Sequence, residues 1–230
     1  MSKRTRPLHA ASLVLLRPSG RDGAVLMGRR PPTSDFIPDA FVFPGGRIEP
    51  EDQRVVSPYP LRPETERALQ GVATRRDPIS SGLANAAIRE TYEETSLMLA
   101  QPGQISGGLT PSWQAFSTRG LAPDHSALNL LARAITPTVS PVRYHARFFV
   151  ARGQDVRGRP RSSDELLDLA WYPIEAARRL PMIDVTAAVL ELAARHLDSG
   201  DLEDRRQPDA TGFIRYRGER ALMRMESAAG

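Results

Sequence analysis

Arg89-Glu90-Thr91-Tyr92-Glu93-Glu94 sits in the middle of a stretch whose pattern predicts a helix from about Ser81 to Leu99. On an α-helix, positions 90, 93 and 94 stand at i, i+3 and i+4, so three carboxylates crowd one side of one turn. Like charges at that spacing cost about 0.2 to 0.5 kcal/mol per pair, which a solvated helix tolerates but has no need to accept. A divalent cation reverses the sign, because hard cations take carboxylate oxygens together with water and substrate phosphates. Ala84, Ala87, Ile88, Thr91 and Thr95 line another flank of the same helix, a small-residue stripe suited to packing on a sheet while the acids point elsewhere. An acidic run by itself is usually a solvated face, so the metal reading leans on a second segment.

That segment is Phe41-Val42-Phe43-Pro44-Gly45-Gly46-Arg47-Ile48-Glu49-Pro50-Glu51-Asp52. It reads as a short apolar strand breaking into a Gly-Gly loop, where the backbone turns sharply and leaves amides and carbonyls open to a ligand. Together the two segments resemble the Nudix box, whose pattern is Gly, five residues, Glu, seven residues, Arg-Glu, an aliphatic residue, any residue, Glu-Glu, any residue, Gly and an aliphatic residue. Gly46, Arg89, Glu90, Glu93, Glu94 and Leu97 match. Asp52 stands where the pattern has Glu, Thr91 fills the aliphatic slot, and Ser96 replaces the second Gly. A long extra segment separates Asp52 from Arg89. In this the chain looks like the subgroup related to the peroxisomal coenzyme A diphosphatases, as do Ala134-Ile135-Thr136-Pro137 and Arg143 to Phe149.

The resemblance implies an α/β (α+β) fold, a Nudix-type α/β/α sandwich with a mixed central sheet. It implies a hydrolase that binds Mg2+ or Mn2+ through Glu90 and Glu94, with Glu93 beside them and the Gly45 carbonyl completing the set. Arg89 orients a box carboxylate, and the shorter Asp52 falls behind the direct ligands. The base that activates water is a box Glu or an acid of a later loop, for which Glu165 is the candidate and Asp164 its neighbour; His145 reads as a strand residue facing the other layer. Arg29, Arg30, Phe36 and Gly46 are candidates for substrate binding. The expected substrate is a small-molecule nucleotide: coenzyme A or an acyl derivative, cleaved to 3',5'-ADP and a 4'-phosphopantetheine portion. The alternatives are ADP-ribose, nucleotide sugars or dinucleoside polyphosphates, and a ligand-binding regulator of the same fold without turnover.

Composition narrows the field. Zero cysteines exclude disulfides, thiolate metal sites and a Cys nucleophile. A net charge of +4 with scattered Arg residues gives no basic patch, so nucleic acid is not the expected partner. No apolar run approaches membrane-spanning length. The basic start, Met1 to Arg6, is followed by no adequate leader segment, and the final Ser-Ala-Ala-Gly is not a peroxisomal address, so a cytoplasmic location is expected.

One domain is expected over 8–200, interrupted by an insertion at about 53–82 that packs over the site or makes a subunit contact, which leaves a homodimer open. Strands are expected at Ala11 to Leu16, Ala24 to Arg29, Ala40 to Phe43, Leu131 to Thr136, Tyr144 to Ala151 and Leu166 to Tyr172. The first two are joined through a turn-rich connection at 18–23. Helices are expected from Glu64 to Thr74 and near Ile174 to Arg179 and Val185 to Leu197. Residues 101 to 130 read as irregular, with Trp113 and Phe116 as anchors, and 152–163 as a loop. The extension 201–230 reads as a hairpin turning at 217–220.

Overall fold

Leu13-Val14-Leu15-Leu16 is apolar on both sides of the pleat because its strand is covered on both faces: Leu13 and Leu15 enter one core, Val14 and Leu16 the other. The computed structural model describes residues 6–18, 23–34, 37–71, 79–107, 110–137, 140, 142–217 and 220–227. Phe36, most of the 18–23 turn, the end of the Glu64 to Thr74 helix and the tip of the tail hairpin lie outside these residues.

The chain forms β1 (Leu8–Arg17), β2 (Ala24–Arg29), β3 (Phe41–Val42), β4 (Gly45–Arg47), α1 (Pro63–Gly71), α2 (Ser80–Thr95), β5 (Met98–Pro102), α3 (Pro111–Thr118) and β6 (Leu121–Pro123). Then follow β7 (Asn129–Ile135), β8 (Tyr144–Arg152), β9 (Val156–Arg157), β10 (Leu167–Pro173), α4 (Ile174–Ala177), α5 (Asp184–Asp198), β11 (Ala210–Arg217) and β12 (Arg220–Ser227). The large sheet runs β10-β2-β1-β8-β7-β11-β12, with β3 on β2 and β4 on β1. It is mixed: β1 lies parallel to β8 and β11 parallel to β7, the other pairs being antiparallel. Residues of α2, α3 and β5 pack on one face, and those of α4 and α5 on the other. The fold is therefore a mixed α/β sandwich. Among the described residues no helix is long and apolar enough to cross a membrane.

Several expectations are corrected. Helix α2 stops at Thr95, not Leu99, because Ser96 takes the left-handed conformation (φ 62°, ψ 12°) and its N–H returns to the Tyr92 carbonyl. Leu97 to Leu99 then lead into β5, whose pairing with β6 and β9 makes a second small sheet. Residues 101 to 130, read as irregular, thus contain α3 and β6, with Trp113 and Phe116 fully buried. The expected 152–163 loop carries β9. The Gly-Gly loop is the short strand β4, in which Gly45 lies opposite Ser12 and Gly46 opposite Ala11.

Left-handed backbone is costly for a residue with a Cβ and free for glycine. Replacing exposed Ser96 by Gly should therefore stabilise the protein by about 1 kcal/mol. Urea denaturation reads this as a raised midpoint at constant m; an unchanged midpoint contradicts it.

Among the described residues of the segment 53–82, none lines the cavity described below. Its Val55, Leu61, Ala68 and Leu69 join the core beside α2, and the Thr65 hydroxyl donates to the Leu128 carbonyl. The tail strands β11 and β12 pair antiparallel from Ala210↔Ser227 to Arg217↔Arg220 and extend the large sheet through β7.

Candidate active site

The site begins where α2 crosses β4. A Cβ on Gly46 would lie 2.3 Å from Glu90 Oε1, and one on Gly45 would lie 2.5 Å from the Ser12 backbone. Two side-chain-free positions are thus what let the Glu90 carboxylate approach the strand and the strand approach β1. The Gly45 N–H donates to Glu94 Oε2 at 2.9 Å, fixing the second acid.

Arg89 organises the other side of the helix. Its Nε and Nη2 donate to the two oxygens of Asp52 at 2.9 and 3.0 Å, a bidentate pair in which Asp52 is fully buried. Nη2 also reaches the Arg47 carbonyl, while Nη1 reaches Glu93 at 2.7 Å and Glu90 at 3.0 Å. Burial works against the guanidinium charge, but the Asp52 hydrogen bonds and the charges of Glu90, Asp52 and Glu93 more than offset it and hold Arg89 above its ordinary value. Asp52 further accepts from the Glu49 N–H. Its shorter side chain suffices because Asn85, buried in α2, donates to the Asp52 and Val55 carbonyls and draws that loop onto the helix.

No family model matches the chain. A segment of it is 33% identical, over 100 residues, to an acyl-coenzyme A diphosphatase from Xenopus laevis; the match takes in 35% of this chain and only 26% of the frog protein. A Nudix hydrolase from Alicyclobacillus acidocaldarius, known from a crystal structure, is 31% identical, with a TM-score of 0.63, over 84% of this chain and 93% of that one. The chain belongs to the Nudix hydrolase family.

The Nudix box departures have local explanations. Thr91, in the aliphatic slot, is fully buried and satisfies its hydroxyl on the Ala87 carbonyl at 2.7 Å. Ser96 adopts the backbone conformation that the pattern's Gly supplies.

The acids of this hydrolase do not all face the same way. Glu90 and Glu94 line a cavity of about 660 Å3, together with Gly45, Gly46, Arg30 and Glu165. Glu93 is not among its lining residues; it is held by Arg89 on one oxygen and by the Ser112 hydroxyl, from α3, on the other. Among the described residues no three His, Asp or Glu side chains converge into a ready-made metal cage. Two do come together, and one or two carboxylates completed by water and substrate phosphate are what a Mg2+-type ion requires. Burial, then the balance of Arg89 against Glu93, raises Glu90 to about 7. Burial, offset by the Gly45 amide and reinforced by Glu90 and Glu165, raises Glu94 to about 8. Two acids, one buried and one half-buried, that resist ionising together are a donor set that a cation relieves.

That has a measurable sign. A carboxylate whose folded pKa exceeds its unfolded value binds more protons when folded, so stability falls as pH rises from the unfolded value near 4.5 through 7 to 8. Chelator-treated protein should lose on the order of 2 to 4 kcal/mol between pH 5 and 8, and millimolar divalent cation should restore most of it. Thermal melts across that range with EDTA and with Mg2+ check this; a flat EDTA profile would contradict it.

The remaining candidates separate by position. Arg30 lines the cavity, whereas Arg29 is engaged by Asp39 and Asp168, each at 2.7 Å, and does not. Glu165 is presented to the cavity by a turn in which Ser163 and Leu166 hydrogen-bond each other. His145 is buried away from the cavity and pushed down to about 3 by burial and by Arg147, Arg133 and His9, so it stays neutral at neutral pH. Sequence reasoning missed Asn85, Ser112 and His125. His125 Nε2 lies 2.6 Å from Asn85 Oδ1, and burial lowers its pKa to about 4. A polar Asn amid the apolar flank of α2 was the available signal for this network.

Proposed function

We propose that the protein is a divalent-metal-dependent diphosphatase acting on coenzyme A or its acyl thioesters, releasing 3',5'-ADP and 4'-phosphopantetheine or its acyl form. The observation that carries this reading is a single cavity joining the carboxylates of buried Glu94 and half-buried Glu90 to an uncharged trough lined from β7, β8, α5 and β11. A diphosphate flanked by an uncharged arm matches that sequence of surfaces.

In this reading Glu90 and Glu94 would hold the cation, which would supply charge neutralisation at the phosphoryl oxygens and activation of water. Arg89 and Asp52 act through the acids, fixing the turn from which they project. Arg30 supplies positive charge to the diphosphate from the cavity wall. Glu165 accepts the proton of the attacking water as its oxygen bonds to phosphorus and the anhydride P–O bond breaks.

The test is a panel of coenzyme A, acyl-coenzyme A, ADP-ribose, nucleotide sugars and dinucleoside polyphosphates with Mg2+ or Mn2+, products being separated by chromatography. Formation of 3',5'-ADP supports the reading. Turnover of another diphosphate without 3',5'-ADP rejects it in favour of a different nucleotide substrate.

A further inference from the structure

The lining of the cavity divides by charge. Its charged residues, Arg30, Arg47, Glu90, Glu94 and Glu165, come from 30–47, α2 and the turn before β10. Every described lining residue from β7, β8, the start of α5 and β11 is uncharged, among them Ile135, Tyr144, Phe148, Val185 and Tyr216.

The sheet sets the span between the two ends. Gly46 lies opposite Ala11 of β1, Ala11 beside Arg147 of β8, Arg147 opposite Arg133 of β7, and Arg133 beside Phe213 of β11. Four strand spacings of about 4.8 Å place β11 roughly 19 Å from the glycine pair. An extended chain advances about 1.2 Å per bond, and the phosphopantetheine arm has about a dozen bonds from its ester oxygen to its sulfur, so it spans roughly 15 Å. An arm that runs from the glycine pair along this uncharged wall would bring its sulfur, and whatever is esterified to it, close to β11.

Tyr216 is the described residue that β11 contributes to the cavity wall. Its hydroxyl is raised above its ordinary value by burial and then by Asp184, consistent with its lying against the start of α5. The hairpin does not depend on it: Ile214 is buried, Phe213 stacks on Arg133 at 3.5 Å, and Gln207 bonds both the N–H and the carbonyl of Leu130.

We propose that Tyr216, outside the Nudix box and on the C-terminal hairpin, is a specificity-determining residue that closes the far end of the trough and limits the acyl group carried on the thiol. This rests on the coenzyme A reading above. A smaller side chain lengthens the trough and a larger one shortens it.

The experiment measures kcat/KM for acetyl-, octanoyl- and palmitoyl-coenzyme A with the full chain and with Tyr216→Ala and Tyr216→Trp. The ratio of palmitoyl to acetyl should rise at least fivefold in the Ala variant and fall at least fivefold in the Trp variant. Ratios within twofold of the parent in both variants overturn the inference while leaving the coenzyme A reading standing. Failure of the unaltered enzyme to cleave any coenzyme A ester, with another diphosphate hydrolysed, overturns the reading and the inference with it.

Discussion

Glu94→Gln will abolish most of the hydrolytic activity while making the chelator-treated protein more stable at pH 8. Gln keeps the shape and an oxygen for the Gly45 N–H, so the contact that fixes the side chain survives. It removes a carboxylate that burial and the charge of Glu90 already raise to about 8. On the proposed role of Glu94 in holding the cation, its loss forfeits several kcal/mol of charge stabilisation in the transition state, so kcat should fall on the order of 10³-fold. Steady-state rates with Mg2+ and melts in EDTA read the two effects separately. Undiminished kcat would show that the box is not the catalytic centre.

The second large effect is on folding. Arg89→Met leaves Asp52, fully buried, without its bidentate partner and, among the described residues, with the Glu49 N–H alone, while Glu90 and Glu93 lose the guanidinium between them. Breaking a buried pair by removing one partner costs about 3 to 5 kcal/mol, a large share of a total stability of about 5 to 15. Arg89→Lys should recover little, because a point charge cannot reproduce the fork. The double variant Arg89→Met with Asp52→Leu should cost less than the sum of the single changes, since no charge is left stranded. Urea midpoints of the four proteins close the cycle; additive costs would mean the pair is not coupled.

Legibility in the sequence followed the range of the interaction. The small-residue flank of α2 was readable because i, i+3 and i+4 positions share a face on any helix, and all five expected residues are fully buried. The strands β2, β7, β8 and β10 were readable from apolar runs and alternation to within two residues at their ends, and β1 to within three, beginning at Leu8 where Ala11 was expected. The end of α2 was not, since Leu97 to Leu99 are good helix formers and only pairing with β6 and β9 draws them into a strand. The same long-range pairing gave residues 101 to 130 their order.

Side-chain direction was the least legible property. The spacing put Glu93 beside Glu90 and Glu94, but Ser112, 19 residues away on α3, and Arg89 turn it from the cavity. Arg29 and Arg30 are adjacent and chemically identical, yet Asp39 and Asp168 engage the first while the second faces the cavity.

The sequence by itself determined that Glu90 and Glu94 stand one helical turn apart and that Gly45 and Gly46 leave room for a close approach, because helix periodicity and the missing Cβ atoms are properties of the residues themselves; that the two segments belong together rested on the resemblance to the Nudix box. Which of the box acids line the cavity, and that Tyr216 of the C-terminal hairpin lines it too, were decided only by the tertiary structure. Both depend on groups distant in sequence that the mixed sheet brings to adjacent strands, and no local pattern encodes those neighbours.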